Sequence, residues 1–113
     1  MDEVFEKYKQ LDRDALMEKM AHELPKLRKK LGAEIPAIAD KTGIEEDKLT
    51  AIEEGKKHFK WSEFMAVLFV FWNDDIGRGL VEKKGLFPDE LKAVMYVNRN
   101  VHAPVTESAK YGI

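Results

Sequence analysis

A chain of 113 residues is large enough for one hydrophobic core and short for two. Its 44% hydrophobic and 35% charged residues are ordinary for a globular protein, and the absence of cysteine excludes a disulfide framework and any thiolate metal site. A formal net charge of −2 gives no global attraction to nucleic acid or to an anionic membrane, so any such role must come from a local patch.

The N-terminal stretch MDEVFEKYKQ is charged and has no apolar centre. It does not read as a secretory signal, and a cytoplasmic location is expected. Val4, Phe5, Tyr8 and Leu11 fall on one stripe, which predicts a first helix. Asp12 or Asp14 can cap the next helix, in which Leu16, Met17, Met20, Leu24, Leu27 and Leu31 recur at spacings of three and four. Pro25 interrupts that run. A proline there removes one hydrogen bond and clashes with the preceding turn, which predicts a kink or a fresh helix start. Gly32 ends the element.

Residues 35–55, IPAIADKTGIEEDKLTAIEEG, read as two short helices joined by a tight turn. Ile38 and Ala39 share one face of the first helix, and Gly43 ends it, since helix ends often need the left-handed backbone. Ile44 then points inward, Leu49 and Ile52 repeat at helical spacing, and Gly55 closes the second helix. This is the pattern of a helix-turn-helix.

A basic turn at 56–60 leads into WSEFMAVLFVFW, where residues 64–72 are unbroken apolar. That is far short of the roughly 20 residues of a membrane span, so no membrane association is expected. A helix apolar all round has to be covered all round. The helix-turn-helix can cover one side. The other needs the C-terminal segment or a second subunit, which predicts a homo-oligomer, a dimer formed through residues after 64. Asp74 or Asp75 can cap a further short helix through Lys84, although Gly77 and Gly79 weaken it and Gly85 stops it. Pro88 opens a last helix in which Leu91, Val94, Met95 and Val97 are expected to face inward. Residues 98–113 show no periodicity, and Pro104 predicts an extended tail, leaving 1–97 as a single helical domain.

At Leu24, Leu27, Arg28, Gly32, Ala39, Gly43, Ile44, Leu49, Ile52, Glu53, Gly55 and Lys56, and again at Trp61, Phe64, Met65, Leu68 and Phe71, the chain resembles the lambda-repressor/Cro-like helix-turn-helix family, also called the xenobiotic-response-element family. The resemblance covers about residues 24–72. It implies an all-α, lambda-repressor-like helix-turn-helix bundle, here with extra N- and C-terminal helices. It also implies that residues 46–54 form the recognition helix that enters the major groove. The chain departs from the family at telling places. Glu34 and Ile35 stand where the family usually has Ser-Gln. The recognition helix opens with Glu45, Glu46 and Asp47, and Ala51 stands where Arg or Lys is common.

Lys26, Arg28, Lys29 and Lys30 end the helix before the motif, and Lys56, Lys57 and Lys60 follow the recognition helix. In the family both segments flank the DNA-facing surface, where such groups hold phosphates. Basic residues at a helix C-terminus also complement its dipole without any ligand. Glu46, Asp47, Lys48 and Thr50 belong to the recognition helix. A carboxylate there can accept from cytosine N4, or it can simply be a first-turn acid favoured by the dipole at about 0.3–1 kcal/mol. The expected DNA-binding set is therefore Arg28, Lys29, Glu46, Asp47, Lys48, Thr50, Lys56, Lys57 and Lys60.

These residues predict a small transcriptional regulator that binds double-stranded DNA as a dimer. The alternative is a helix-turn-helix that no longer binds DNA and serves oligomerisation or partner docking; IPAIADKTGI is similar to the N-terminal segment of cyanase, which uses the fold in that role. No enzyme activity, cofactor or metal is expected. His22, His58 and His102 lack metal-ligand spacing, HELP at 22–25 lacks the second histidine of a zinc protease helix, and Ser62 and Ser108 have no evident base.

Overall fold

The computed structural model describes residues 11–97; the helix expected around Val4, Phe5 and Tyr8 and the tail expected at 98–113 lie outside them. The described residues are all-helical and contain no strand. Six helices follow in order: α1 (Arg13–Leu31), α2 (Ile35–Thr42), α3 (Glu46–Glu53), α4 (Trp61–Trp72), α5 (Asp75–Lys83) and α6 (Asp89–Met95). Asp12–Pro88, holding α1 to α5, form one compact unit.

Asp12 starts α1 by accepting the Ala15 N–H at 3.0 Å. The helix then runs unbroken through Pro25 to Leu31, so a fresh start at the proline does not form. One apolar stripe explains this. Leu16, Met20, Leu24 and Leu27 all lie on the buried face, and Leu24 and Leu27, on either side of Pro25, are 0% and 1% exposed. Breaking the register at Pro25 would expose one group or the other, at about 2 kcal/mol per buried leucine. The four residues that one continuous stripe buries together outweigh the roughly 3 kcal/mol a proline costs inside a helix.

The turn between α2 and α3 depends on Gly43. Its φ is 80°, and its N–H donates to the Ala39 carbonyl at 2.9 Å. A side chain there would hold the backbone in its disfavoured left-handed region. Thr42 braces the same corner: its Oγ1 donates to the Ile38 carbonyl at 2.8 Å and accepts the Ile44 N–H at 3.2 Å. Ile38, Ile44, Leu49 and Ile52 all turn inward.

Helix α4 buries Phe64, Val67, Leu68 and Phe71. Helices α1, α2 and α5 all pack against it. The helix α5 that covers α4 is the one whose two glycines argued against it. Gly77 is buried, and a Cβ built on it would lie 2.3 Å from the backbone oxygen of Phe71. Only glycine lets the two backbones come so close. Asp74 caps α5 by accepting from Ile76 and Gly77 N–H at 2.8 and 3.0 Å. Arg78 reaches back, its Nε donating to the Trp72 carbonyl at 3.0 Å, and its guanidinium lies over the Trp72 ring. Trp72 in turn meets Phe87 edge-on at 4.8 Å. An ion pair of 3.4 Å between Lys84 and Glu23 ties the end of α5 to α1. Phe59 and Leu86, which the periodicity did not mark, are also core residues.

The second unit is described only in part. Helix α6 carries Asp89 and Glu90 in its first turn and buries Leu91. Val94 is half-buried, whereas Met95 and Val97 are exposed, against the expected inward set. The helix ends at Met95, so Val97 is no longer in its register.

The two glycines of α5 should respond in opposite senses. Gly77→Ala forces a methyl into the Phe71 backbone and should cost about 3 kcal/mol. Gly79 has nothing within 4 Å of an added Cβ, so Gly79→Ala should stabilise by up to about 1 kcal/mol. Chemical denaturation of both variants measures the difference, and equal effects would contradict the close approach.

Candidate nucleic-acid interface

Helix α3 is anchored by Leu49 and Ile52, both buried. The 3.6-residue period then turns Glu46 and Asp47 outward, where they are exposed, with Thr50 and Ala51 half-buried beside them. Glu45 precedes the helix and makes no side-chain cap, so these acids interact with the helix terminus through its dipole.

Lys48 is the one cation on α3, and it points to α4. Its Nζ lies 2.8 Å from Glu63 Oε2. The second oxygen of Glu63 accepts the Lys60 backbone N–H at 2.8 Å, so one carboxylate both caps α4 and holds α3 against it. Partial burial pushes the Glu63 carboxyl up. The Lys48 hydrogen bond, the Lys60 N–H and both ammonium charges outweigh this and hold it below the ordinary glutamate value of 4.5.

Arg28 is similarly committed. Its Nε and Nη2 donate to the two oxygens of Glu53 at 2.7 and 2.9 Å, and Nη1 donates to the Ala33 carbonyl at 3.0 Å. This two-pronged pairing fixes orientation as well as distance. It ties the last turn of α1 to the last residue of α3. The bond to Glu53 raises the guanidinium above its ordinary value, against the opposing effect of burial. A residue expected to hold phosphate is thus a clamp between helices, with all three donor nitrogens engaged.

The remaining basic residues stand differently. Lys29, Lys57 and Lys60 are exposed and form no ion pair with another described residue. Lys56 pairs with Glu54 at 3.0 Å, but both are largely exposed, and such a contact is worth little. The Arg28–Glu53 clamp joins two segments that carry exposed lysines: Lys29 follows Arg28 on α1, and Lys56 and Lys57 follow Glu53 beyond α3. Lys29, Lys56 and Lys57 thus lie on the segments that the clamp joins at the C-terminal end of α3, and Glu46 and Asp47 lie at its N-terminal end.

No protein-family model matches the chain, and no curated protein or solved structure matches it. Among the described residues, no group of three or more His, Asp or Glu could hold a metal ion, and no helix is long and apolar enough to cross a membrane.

Two residues that shape this surface were not singled out from sequence. Glu53 sits 25 positions from its arginine, and no local periodicity reports a pair so distant. Glu63 left a fainter trace. An acid three residues after a helix start is a capping signal, but its second bond, to Lys48, is not local.

The lowered Glu63 carboxyl has a consequence with a definite sign. A group held lower in the folded than in the unfolded chain contributes stability above its unfolded value. That contribution is lost as pH falls through the folded one. Glu63→Gln should therefore be less stable than wild type near neutrality and should converge on it in acid, once the pH has fallen below the ordinary glutamate range. Thermal unfolding across that range measures the gap; a gap independent of pH would show that the carboxylate charge does not stabilise the fold.

Proposed function

We propose that this protein binds duplex DNA through α2 and α3 as a helix-turn-helix of the lambda-repressor type, in the manner of a small transcriptional regulator. One observation carries the reading. A short helix, α3, is set on a fixed turn with Glu46 and Asp47 exposed on its outward face, and exposed lysines stand on the segments joined at its C-terminal end. Lys29, Lys56, Lys57 and Lys60 supply the phosphate contacts, and Arg28 and Lys48 supply the geometry of the surface rather than its charge. Glu46 and Asp47 face the duplex without a neighbouring cation. Binding is accordingly dominated by the backbone, with modest selectivity between sequences.

A second reading is favoured by the Lys48–Glu63 pair. It spends the one cation of α3 internally and leaves the outward acids uncompensated, a surface better suited to a basic protein partner than to phosphate.

Titration of duplex fragments at several salt concentrations separates the two. Lys29→Ala and Lys57→Ala should each weaken binding to all sequences alike and lower the salt slope by about one unit. Glu46→Gln with Asp47→Asn should strengthen binding across sequences, because a repulsion is removed. A loss of about 1–3 kcal/mol confined to one sequence would instead make one acid a reader of cytosine. No affinity for duplex DNA at low salt, in wild type or variants, would leave the docking reading.

The working form in this proposal is a homodimer made through residues after 64. Phe69 on α4 and Ile76 on α5 support it, being 65% and 62% exposed. Large apolar side chains left facing water mark association surfaces where they are contiguous. Phe69→Glu should leave the fold intact and halve the mass seen by light scattering at micromolar concentration. A wild type that is monomeric at every concentration removes the dimer.

A further inference from the structure

An open groove of about 710 Å³ runs between the N-terminal half of α1 and the segment leaving α3. Its size lies within the range of small-molecule sites, about 300–1,000 Å³. It exists because α1 begins at Arg13, well before the part of the helix that Arg28 clamps to α3. The groove is apolar at its base, where Met17 and Ala21 face Ile52 and Phe59. Its rim is charged and uneven. Asp14 and Glu18 stand one turn apart on α1, with Glu53 and Glu54 also on the lining, against one ammonium, that of Lys57, and the imidazoles of His22 and His58.

The pairing of these groups decides which ligand fits. Glu53 is answered by Arg28 and Glu54 by Lys56. Asp14 and Glu18 have no ion-pair or hydrogen-bond partner among the described residues, and both are exposed at the rim. An apolar base under carboxylates that no described residue pairs with complements a molecule with an apolar body and a positive charge. An anion of the same shape would meet those carboxylates, with Lys57 and the imidazole N–H groups of His22 and His58 as its donors.

We propose that this groove binds a lipophilic organic cation, with Asp14 and Glu18 holding the charge and Met17, Ala21 and Phe59 the apolar body. The site lies wholly within the unit of residues 12–88 and does not depend on the DNA-binding reading.

The test uses two ions of nearly equal shape and opposite charge, tetraphenylphosphonium and tetraphenylborate, titrated into the full chain by calorimetry. The phosphonium should bind saturably at one site per chain, and the borate at least tenfold more weakly. Asp14→Asn with Glu18→Gln should weaken the phosphonium about tenfold, as expected for two partly solvated charge contacts. Both positions are on the surface, so these variants should unfold with wild-type midpoints. Equal affinity for the two ions would show a merely greasy surface and overturn the proposal. So would phosphonium binding that the double variant leaves unchanged, or no binding of the phosphonium at millimolar concentration. Because no DNA is present, a negative result here says nothing against the lysine surface, and a DNA-binding failure says nothing against the groove.

Discussion

A single constraint shapes residues 12–88: α4 is apolar on nearly every side and has to be covered. Helices α1, α2 and α5 are the three covers. Each meets it by a different device. Helix α1 brings a continuous leucine and methionine stripe, long enough to carry a proline. Helix α2 is aimed by the Gly43 corner. Helix α5 is admitted by a missing side chain, since Gly77 packs directly on the Phe71 backbone. The burial of Phe64, Val67, Leu68 and Phe71, each worth about 2 kcal/mol, therefore depends on backbone conformations that only particular residues allow. Interiors packed this closely do not absorb an extra methyl by small adjustments.

The polar contacts are built on that frame and take up charges that the proposed DNA-binding surface would otherwise offer. Arg28 and Lys48 each join α3 to a neighbouring helix, through Glu53 and Glu63. Partly buried pairs of this kind have fewer water molecules to compete with than the exposed Lys56–Glu54 contact. They fix where α3 sits, and they remove two cations from the surface that α3 presents. What remains at the surface is divided by position: acids at the start of α3, lysines at and after its end. A helix dipole favours the first arrangement by itself, so the acids have a structural reason to be there whatever α3 binds.

Much of the helical framework was readable in the sequence because it is local. Caps, glycine stops and three-four spacing located the ends of α1, α2 and α3, and Asp74 and Gly85 bounded α5. What escaped was non-local. Pro25 looks like a break when its neighbours are counted in one dimension; it is tolerated because leucines on both sides of it share one buried face. Gly77 looks like a weak helix former until the Phe71 backbone is beside it. Phe59 lies in a run of lysines whose charge hides its burial. The candidate site shows the same divide. The exposed lysines and acids were read directly, but the partners of Arg28 and Lys48 were not, because they are 25 and 15 residues away.

That divide bears on how the surface works. A cation engaged by a carboxylate in the free protein contributes to binding only by exchanging one partner for another, so its net contribution is small. An exposed lysine has only counterions and water to exchange. In the proposed DNA-binding mode, affinity would therefore depend on Lys29, Lys57 and Lys60, and on Lys56 once it leaves its exposed contact with Glu54, whereas the geometry depends on Arg28, Lys48 and the two glutamates that hold them. Changing one of the first group alters affinity and leaves the fold alone. Changing one of the second moves α3 itself, which alters every contact at once. The two groups differ in whether stability and binding change together, and that difference follows from where each charge finds its partner.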